Sequence, residues 1–406
     1  MRFQIEKKEL IQHIQYLASI IPNKITSPIL NNYLLEAVSD TNIVRITASD
    51  LELTVVAEFD ANVMEGGITT ISARSFNEIV QSMPDALLSV YKQDEIIKIQ
   101  CNKIDFSLLC ADHTLFPVIP DRDTHNAIKI DALHFQRMVN KTSFAVSTDV
   151  NRAVLNGVCW LIKPDWQMMS ATDGRKVAEI KYFQCIPIDN NSSSLSTEEV
   201  TEDAEQEIPI SVPEVINFSE TDSNNGIEKI LPSKTLTFLQ KIFGTAEKEL
   251  LVVIKANRVM FVYGEYTIFT HVIEHKYPDY QKAFISDLPN NLLINKDVLR
   301  TGIRRVALLA PEDNLRIRFE LSEARFEINT SNRDAGEAKE IVENYAFTGS
   351  ATTIAFNYKY MLSILDSIDT DNVKICLGTQ KDPIMIYNET QPEQQEITFL
   401  LMPLRS

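Results

Sequence analysis

Glycine is scarce in this chain, 11 in 406 residues, and no GxGxxG, Walker A or GxSxG pattern occurs among them, so the usual phosphate-cradling loops and the hydrolase elbow are excluded. Five cysteines (Cys101, Cys110, Cys159, Cys185 and Cys376) form no CxxC pair and leave an odd count. They read as reduced, mostly buried thiols of a cytosolic protein. The six histidines (His13, His113, His125, His134, His271 and His275) fall in no HExxH or mixed His/Cys pattern, so neither a metal nor another cofactor is expected. His271 and His275 lie four apart, but in a stretch that reads as strand, where that spacing is about 13 Å. No run of 18 apolar residues exists, hence no membrane helix is expected. The start, MRFQIEKKEL, lacks the apolar core of a signal peptide.

Positive charge is also short: the formal net charge is −17, which taken whole argues against nucleic acid. The deficit is local. Residues 189–226 hold ten acidic side chains and no Lys or Arg, leaving −7 for the remaining 368 residues, so a basic surface on the folded body is compatible with the total. That Ser/Glu/Asn-rich block reads as a disordered or loosely ordered insertion; the apolar island 208–218 within it reads as passive or as a strand or partner motif.

What is present is repetition. Residues 3–21, 128–146 and 292–310 each run strand, short polar break, amphipathic helix. Leu10, Ile14, Leu17 and Ile21, then Phe135, Met138 and Val139, then Leu299, Ile303 and Val306 keep the three-to-four spacing of a buried helical face. A second helix follows in each copy, at 73–83, 232–243 and 356–368, and alternating strands follow each helix. The copies close on Phe116-Pro117, Tyr277-Pro278 and Met402-Pro403. The expectation is an α+β chain of three tandem domains, 1–124, 125–289 (interrupted by 189–226) and 290–406, each of two β-rich units with one helix apiece. The length of the repeat marks domain duplication rather than a solenoid.

The centre of the middle copy is Val154 to Ile180, read as two strands turning at Lys163-Pro164-Asp165. Ser170 to Lys176, SATDGRK, packs a hydroxyl, a carboxylate, a glycine and two cations together, a charged turn or a binding corner. Thr47-Ala48-Ser49-Asp50 stands in the same place in the first copy. The helices carry basic residues on one side: Lys296, Arg300, Arg304 and Arg305; Lys234 and Lys241; Lys7 and Lys8; Arg137 and Lys141; Arg74; Lys359. One such stripe is usually a solvated face; its recurrence on related helices points to a surface that meets phosphates without reading bases.

With these copies, the SPILNNYLLE, LNGV, ATDGRKVA, YPDY and FNYKYML stretches and a terminal MPLR, the sequence resembles the bacterial sliding clamp, the beta subunit of the replicative DNA polymerase III holoenzyme, over essentially its full length outside 189–226. The resemblance implies a non-catalytic processivity factor: a homodimer ring of six DNA-clamp domains, sheets outside and helices lining the hole, enclosing duplex DNA of any sequence. It also implies partners, namely a replicative polymerase subunit, the clamp loader and other clamp-binding peptides. Carried over, the peptide pocket is Leu155, Thr172, Gly174, Arg175, Val177, Pro278, Lys282, Asn357, Tyr360, Met402, Pro403, Leu404 and Arg405, an apolar cleft rimmed by cations. DNA contacts are Lys24, Arg74, Arg152, Arg175, Lys176 and Lys234. The dimer interface joins Arg74, Phe106 and Leu108 to Leu308, Leu309, Glu337 and Glu340 of the other copy. The chain departs from the family at Ala153 and Val154, where aromatic residues are frequent, and at Lys282, where arginine is. Two rival readings are a clamp-like paralogue that does not encircle DNA and an enzyme using Asp173 and Arg175 on a phosphorylated substrate.

Overall fold

The computed structural model describes residues 1–22, 27–183, 226–244, 249–313 and 315–404. Lys24, Cys185, Arg405 and the acidic block up to residue 225, with its island, lie outside the described residues. The chain divides into two compact units, one holding 1–136 and 234–272, the other 137–183, 226–233 and 273–404.

Among the described residues six α-helices appear where the periodicity places them: α1 Lys7–Leu17, α2 Ala73–Ser82, α3 Ala132–Thr142, α4 Ser233–Ile242, α5 Lys296–Val306 and α6 Tyr358–Leu365. Each follows directly on a strand, and at several of the junctions a polar side chain caps the new helix. The Asn295 side chain accepts from the amides of Asp297 and Val298, Asn357 from those of Lys359 and Tyr360, and Ser72 from that of Ser75, satisfying amides that have no partner inside a helix. Leu10, Ile14 and Leu17 are buried as expected, but the fourth position is Ile20 and not Ile21. α1 ends at Leu17, and Ile21 precedes Pro22, which disfavours helical backbone at that residue.

Among the described residues of the first unit thirteen strands form one antiparallel sheet. Its join is between Leu53–Asp60 of the first copy and Tyr266–His271 of the middle copy, in the register Thr54↔Phe269 and Val56↔Thr267. The second unit has a nine-stranded and a four-stranded sheet. The nine-stranded sheet is joined the same way, Lys176–Tyr182 against Gln395–Leu401, with Val177 opposite Leu400. The four-stranded sheet shows the alternation behind the pattern: in Arg316–Leu321, Ile317, Phe319 and Leu321 are buried while Arg318 and Glu320 face solvent.

The reading of Val154 to Ile180 as two strands needs correction. Ala153–Leu155 is a single 3-10 turn, Gly157–Ile162 a strand, and residues 166–180 break into Gln167–Thr172 and Lys176–Tyr182. The break is chemical. One Asp173 carboxylate oxygen accepts from the amides of Arg175 and Lys176 at 2.8 and 3.0 Å, and Gly174 takes φ +85°, a conformation that side chains resist.

Candidate functional site

The corner Thr172 to Lys176 of the second unit is tied by its own side chains and by Tyr277. The Thr172 hydroxyl donates to the Lys176 carbonyl at 2.7 Å and accepts from the Gly174 amide at 3.0 Å. The Thr172 amide donates to the Tyr277 hydroxyl at 3.0 Å. Tyr277 is buried against Leu155, Cys159 and Ile230, and Tyr280 packs both on that cluster and on the one holding Val177, Leu288, Met385 and Leu400. Tyr280 thereby bridges the two apolar groups. Its hydroxyl donates to Glu179 at 2.5 Å. Burial pushes the carboxyl of Glu179 up and the hydroxyls of both tyrosines up, the Glu179 charge adding to the shift at Tyr280.

Two more segments close on the corner. The Met402 amide donates to the Arg175 carbonyl at 2.8 Å, and the Leu404 amide to the Ala355 carbonyl at 2.7 Å, which fixes Pro403 between them. The Lys176 ammonium lies 2.9 Å from Asp173 and 4.2 Å from the centre of the Tyr360 ring, a cation–π contact that ties α6 and its cap Asn357 to the turn. Leu155 and Val177 are almost fully buried, whereas Met402 keeps 38% of its surface exposed. Arg175 is exposed and makes no ion pair among the described residues. Pro278 and Lys282 are exposed on the segment after Tyr277, with Lys282 paired to Asp279 at 2.7 Å. The fold thus groups an apolar floor, an exposed thioether and a free guanidinium at this corner, with Tyr360 and the Met402 to Leu404 segment tied to it.

Models of the DNA polymerase III beta subunit match the chain three times: the N-terminal domain over 1–120, the central domain over 129–196 and 193–279, and the C-terminal domain over 282–405. The chain belongs to this family of bacterial sliding clamps. The beta sliding clamp of Staphylococcus aureus is 27% identical to it over 419 residues, with both chains fully covered, and that of Bacillus subtilis 24% over 417, again with full coverage. Its fold matches the solved sliding clamp of Bacillus subtilis (TM-score 0.85, 23% identity, 100% and 99% covered) and the beta subunit of Thermotoga maritima (TM-score 0.83, 19% identity, 100% and 99% covered). Three clamp domains, β-rich with few helices, are therefore the architecture, and the role is that of a polymerase processivity factor without chemistry of its own.

In this clamp the enzymatic rival has no support at Asp173, whose carboxylate is consumed by two amides and the Lys176 ammonium. Lys176 needs correction as a DNA contact for the same reason: it is buried, and its charge is spent on Asp173 and Tyr360. The basic stripes are also more neutralised than their sequence suggests. Lys234 is paired to Asp50, Arg300 to Asp297 and Asp366, Arg305 to Glu340, and Arg137 and Lys141 to Asp369. Arg74 is highly exposed beside Glu78, and Arg152 is exposed with Asp149 at 3.9 Å. Of the residues expected at a dimer interface, Leu308 is 83% exposed and Phe106 38%, Leu108 and Leu309 are half-buried, and Glu337 is exposed. Glu340 is already engaged by Arg305 within its own chain, so it is not a free charge for a partner. Sequence reading missed Tyr277, Tyr280 and Glu179 as the frame of the corner; the YPDY stretch was the available signal, with both tyrosines buried or half-buried and only its proline chosen.

Proposed function

We propose that two copies of this clamp close into a ring around duplex DNA and tether the replicative polymerase, the clamp loader and other replication factors through one peptide pocket per chain, in the cytoplasm where the chromosome lies. The three repeats at 1–124, 125–289 and 290–406 make six domains in the ring. The observation that carries the pocket is the convergence of Leu155, Val177, Arg175 and Met402 on the Thr172 to Lys176 corner. An apolar floor beside an exposed methionine accommodates varied anchors, and Arg175 with Lys282 faces a polar or acidic residue beside a Leu or Phe anchor. Asn357, Tyr360, Pro403 and Leu404 form the opposite wall.

Two open strand edges support the ring. Ile104–Ala111 pairs along its length on one side, but on the other only through Cys110 and Ala111, and Gly336–Val342 is the last strand of its sheet. Open edges with apolar side chains pair readily with another chain, and a head-to-tail contact closing after two copies leaves neither edge free. Enclosure explains why a chain with many neutralised cations holds DNA: Arg74, Arg152, Arg175 and Lys234 need only weak phosphate contacts, and Lys24 belongs to the same set.

The test is retention on a nicked circular plasmid with release on linearisation; equal escape from both forms excludes encirclement and favours the paralogue reading. Removing Met402 to Ser406 should abolish binding of a polymerase-derived peptide and leave the dimer intact, and unchanged affinity by fluorescence anisotropy excludes the pocket.

A further inference from the structure

The corner described above has a twin in the first unit that the proposed function leaves unused. At the Ser49 to Leu53 turn, one Asp50 carboxylate oxygen accepts from the amides of Glu52 and Leu53 at 3.0 and 2.7 Å, as Asp173 accepts from Arg175 and Lys176. The Leu51 amide donates to the Ser49 hydroxyl at 3.2 Å, as Gly174 does to Thr172. The His271 amide donates to the Glu52 carbonyl at 2.9 Å, as Met402 does to Arg175. Phe116-Pro117 holds the place of Tyr277-Pro278.

The twin is not a vestige. A cavity of about 190 Å³ opens on it, lined by Leu51, Glu52, Pro117, Val118, Arg258 and His271 among others. Leu51 and Val118 are 57% and 95% exposed, and exposed apolar side chains beside a cavity are the raw material of a docking site. Leu51 moreover sits at φ +77°, where its counterpart is glycine. A side chain held there strains the backbone, and such strain clusters at ligand-binding positions. The charge pattern differs from that of the pocket: Glu52 replaces Arg175, and neither Glu52 nor Arg258 has an ion-pair partner among the described residues. Arg258 lies 3.4 Å from His271 Nε2.

We propose that this corner is a second, separate docking site for an extended peptide of a partner protein. Its occupant presents an aliphatic or aromatic anchor to Leu51, Pro117 and Val118, a lysine or arginine to Glu52, and a carboxylate or backbone carbonyls to Arg258. It recognises a different sequence from the pocket, because its ion at the turn has the opposite sign. The two sites can therefore be filled together on one chain.

The test uses the full-length chain, methyl-labelled at Leu and Val, titrated with the capped peptide Lys-Ala-Leu-Phe-Asp. Saturable shifts at Leu51, Leu53 and Val118 are expected. Glu52→Lys should weaken binding at least tenfold, while Arg175→Glu, which damages only the other corner, should leave it unchanged. Leu51→Gly should weaken binding while raising the melting temperature, since it releases the strained φ; a leucine kept only for packing would give a lower melting temperature. Absent or unsaturable shifts overturn the proposal, as does binding indifferent to Glu52→Lys in a variant whose melt shows it folded. Loss with Arg175→Glu also overturns it, by sending the peptide to the pocket. None of these outcomes depends on ring closure or on the pocket's own ligand.

Discussion

His13 shows what a single side chain does in this molecule. It is buried, its ring stacks on Phe59 with centroids 4.5 Å apart, and its Nδ1 is 2.8 Å from the Tyr266 hydroxyl. Burial lowers its pKa below the ordinary 6.5, outweighing the pull of Glu265 in the other direction. A depressed histidine stabilises the fold fully above pH 6.5 and loses that contribution as pH falls through the native value. The melting temperature should therefore drop between pH 7 and pH 5, and the drop should shrink in His13→Gln when both are followed by calorimetry. Tyr277 offers a second case. Tyr277→Phe leaves the buried Thr172 amide without its acceptor, a cost of about 1–3 kcal/mol, measurable as a lower denaturant midpoint. Peptide affinity should fall with it, because the corner loses its frame.

At the scale of elements, close approach decides most. A Cβ on Gly157 would lie 2.6 Å from the Leu231 carbonyl and 2.9 Å from Ile273, so Gly157→Ala should destabilise by about 1–3 kcal/mol through overpacking, visible in the same melts. All six helices were legible in the sequence, since three-to-four spacing after a strand and a capping residue leaves little freedom. The interval between Leu155-Asn156-Gly157 and the SATDGRK stretch likewise marked the corner. The polar run Ser170 to Lys176 announced a charged turn or binding corner, but not that it divides residues 166–180 into two paired strands, because that reversal rests on the amides of Arg175 and Lys176 closing on the Asp173 side chain. The fate of the cations was hidden too: Lys141 and Asp369 lie 228 positions apart in the sequence, so no local pattern announces their pairing. For the same reason Lys176 looked like a free cation beside Arg175, although the ring that covers it belongs to a distant helix.

For the whole molecule, assembly is the property to test. Because Leu308 is mostly solvent-exposed in the single chain, replacing Leu308 and Leu309 by glutamate should leave the protomer folded while placing unpaired charge in the proposed contact between copies. Light scattering should then report 46.1 kDa in place of about twice that mass; a persisting dimer would move the interface elsewhere. The shared sheets carry one more consequence. Since Leu53–Asp60 and Tyr266–His271 are hydrogen-bonded neighbours in one sheet, the repeats cannot be lifted apart at their borders. A protease cutting between residues 120 and 127 would sever the polypeptide yet release nothing, and the nicked halves should still travel as a single species until a denaturant melts the strands that stitch them.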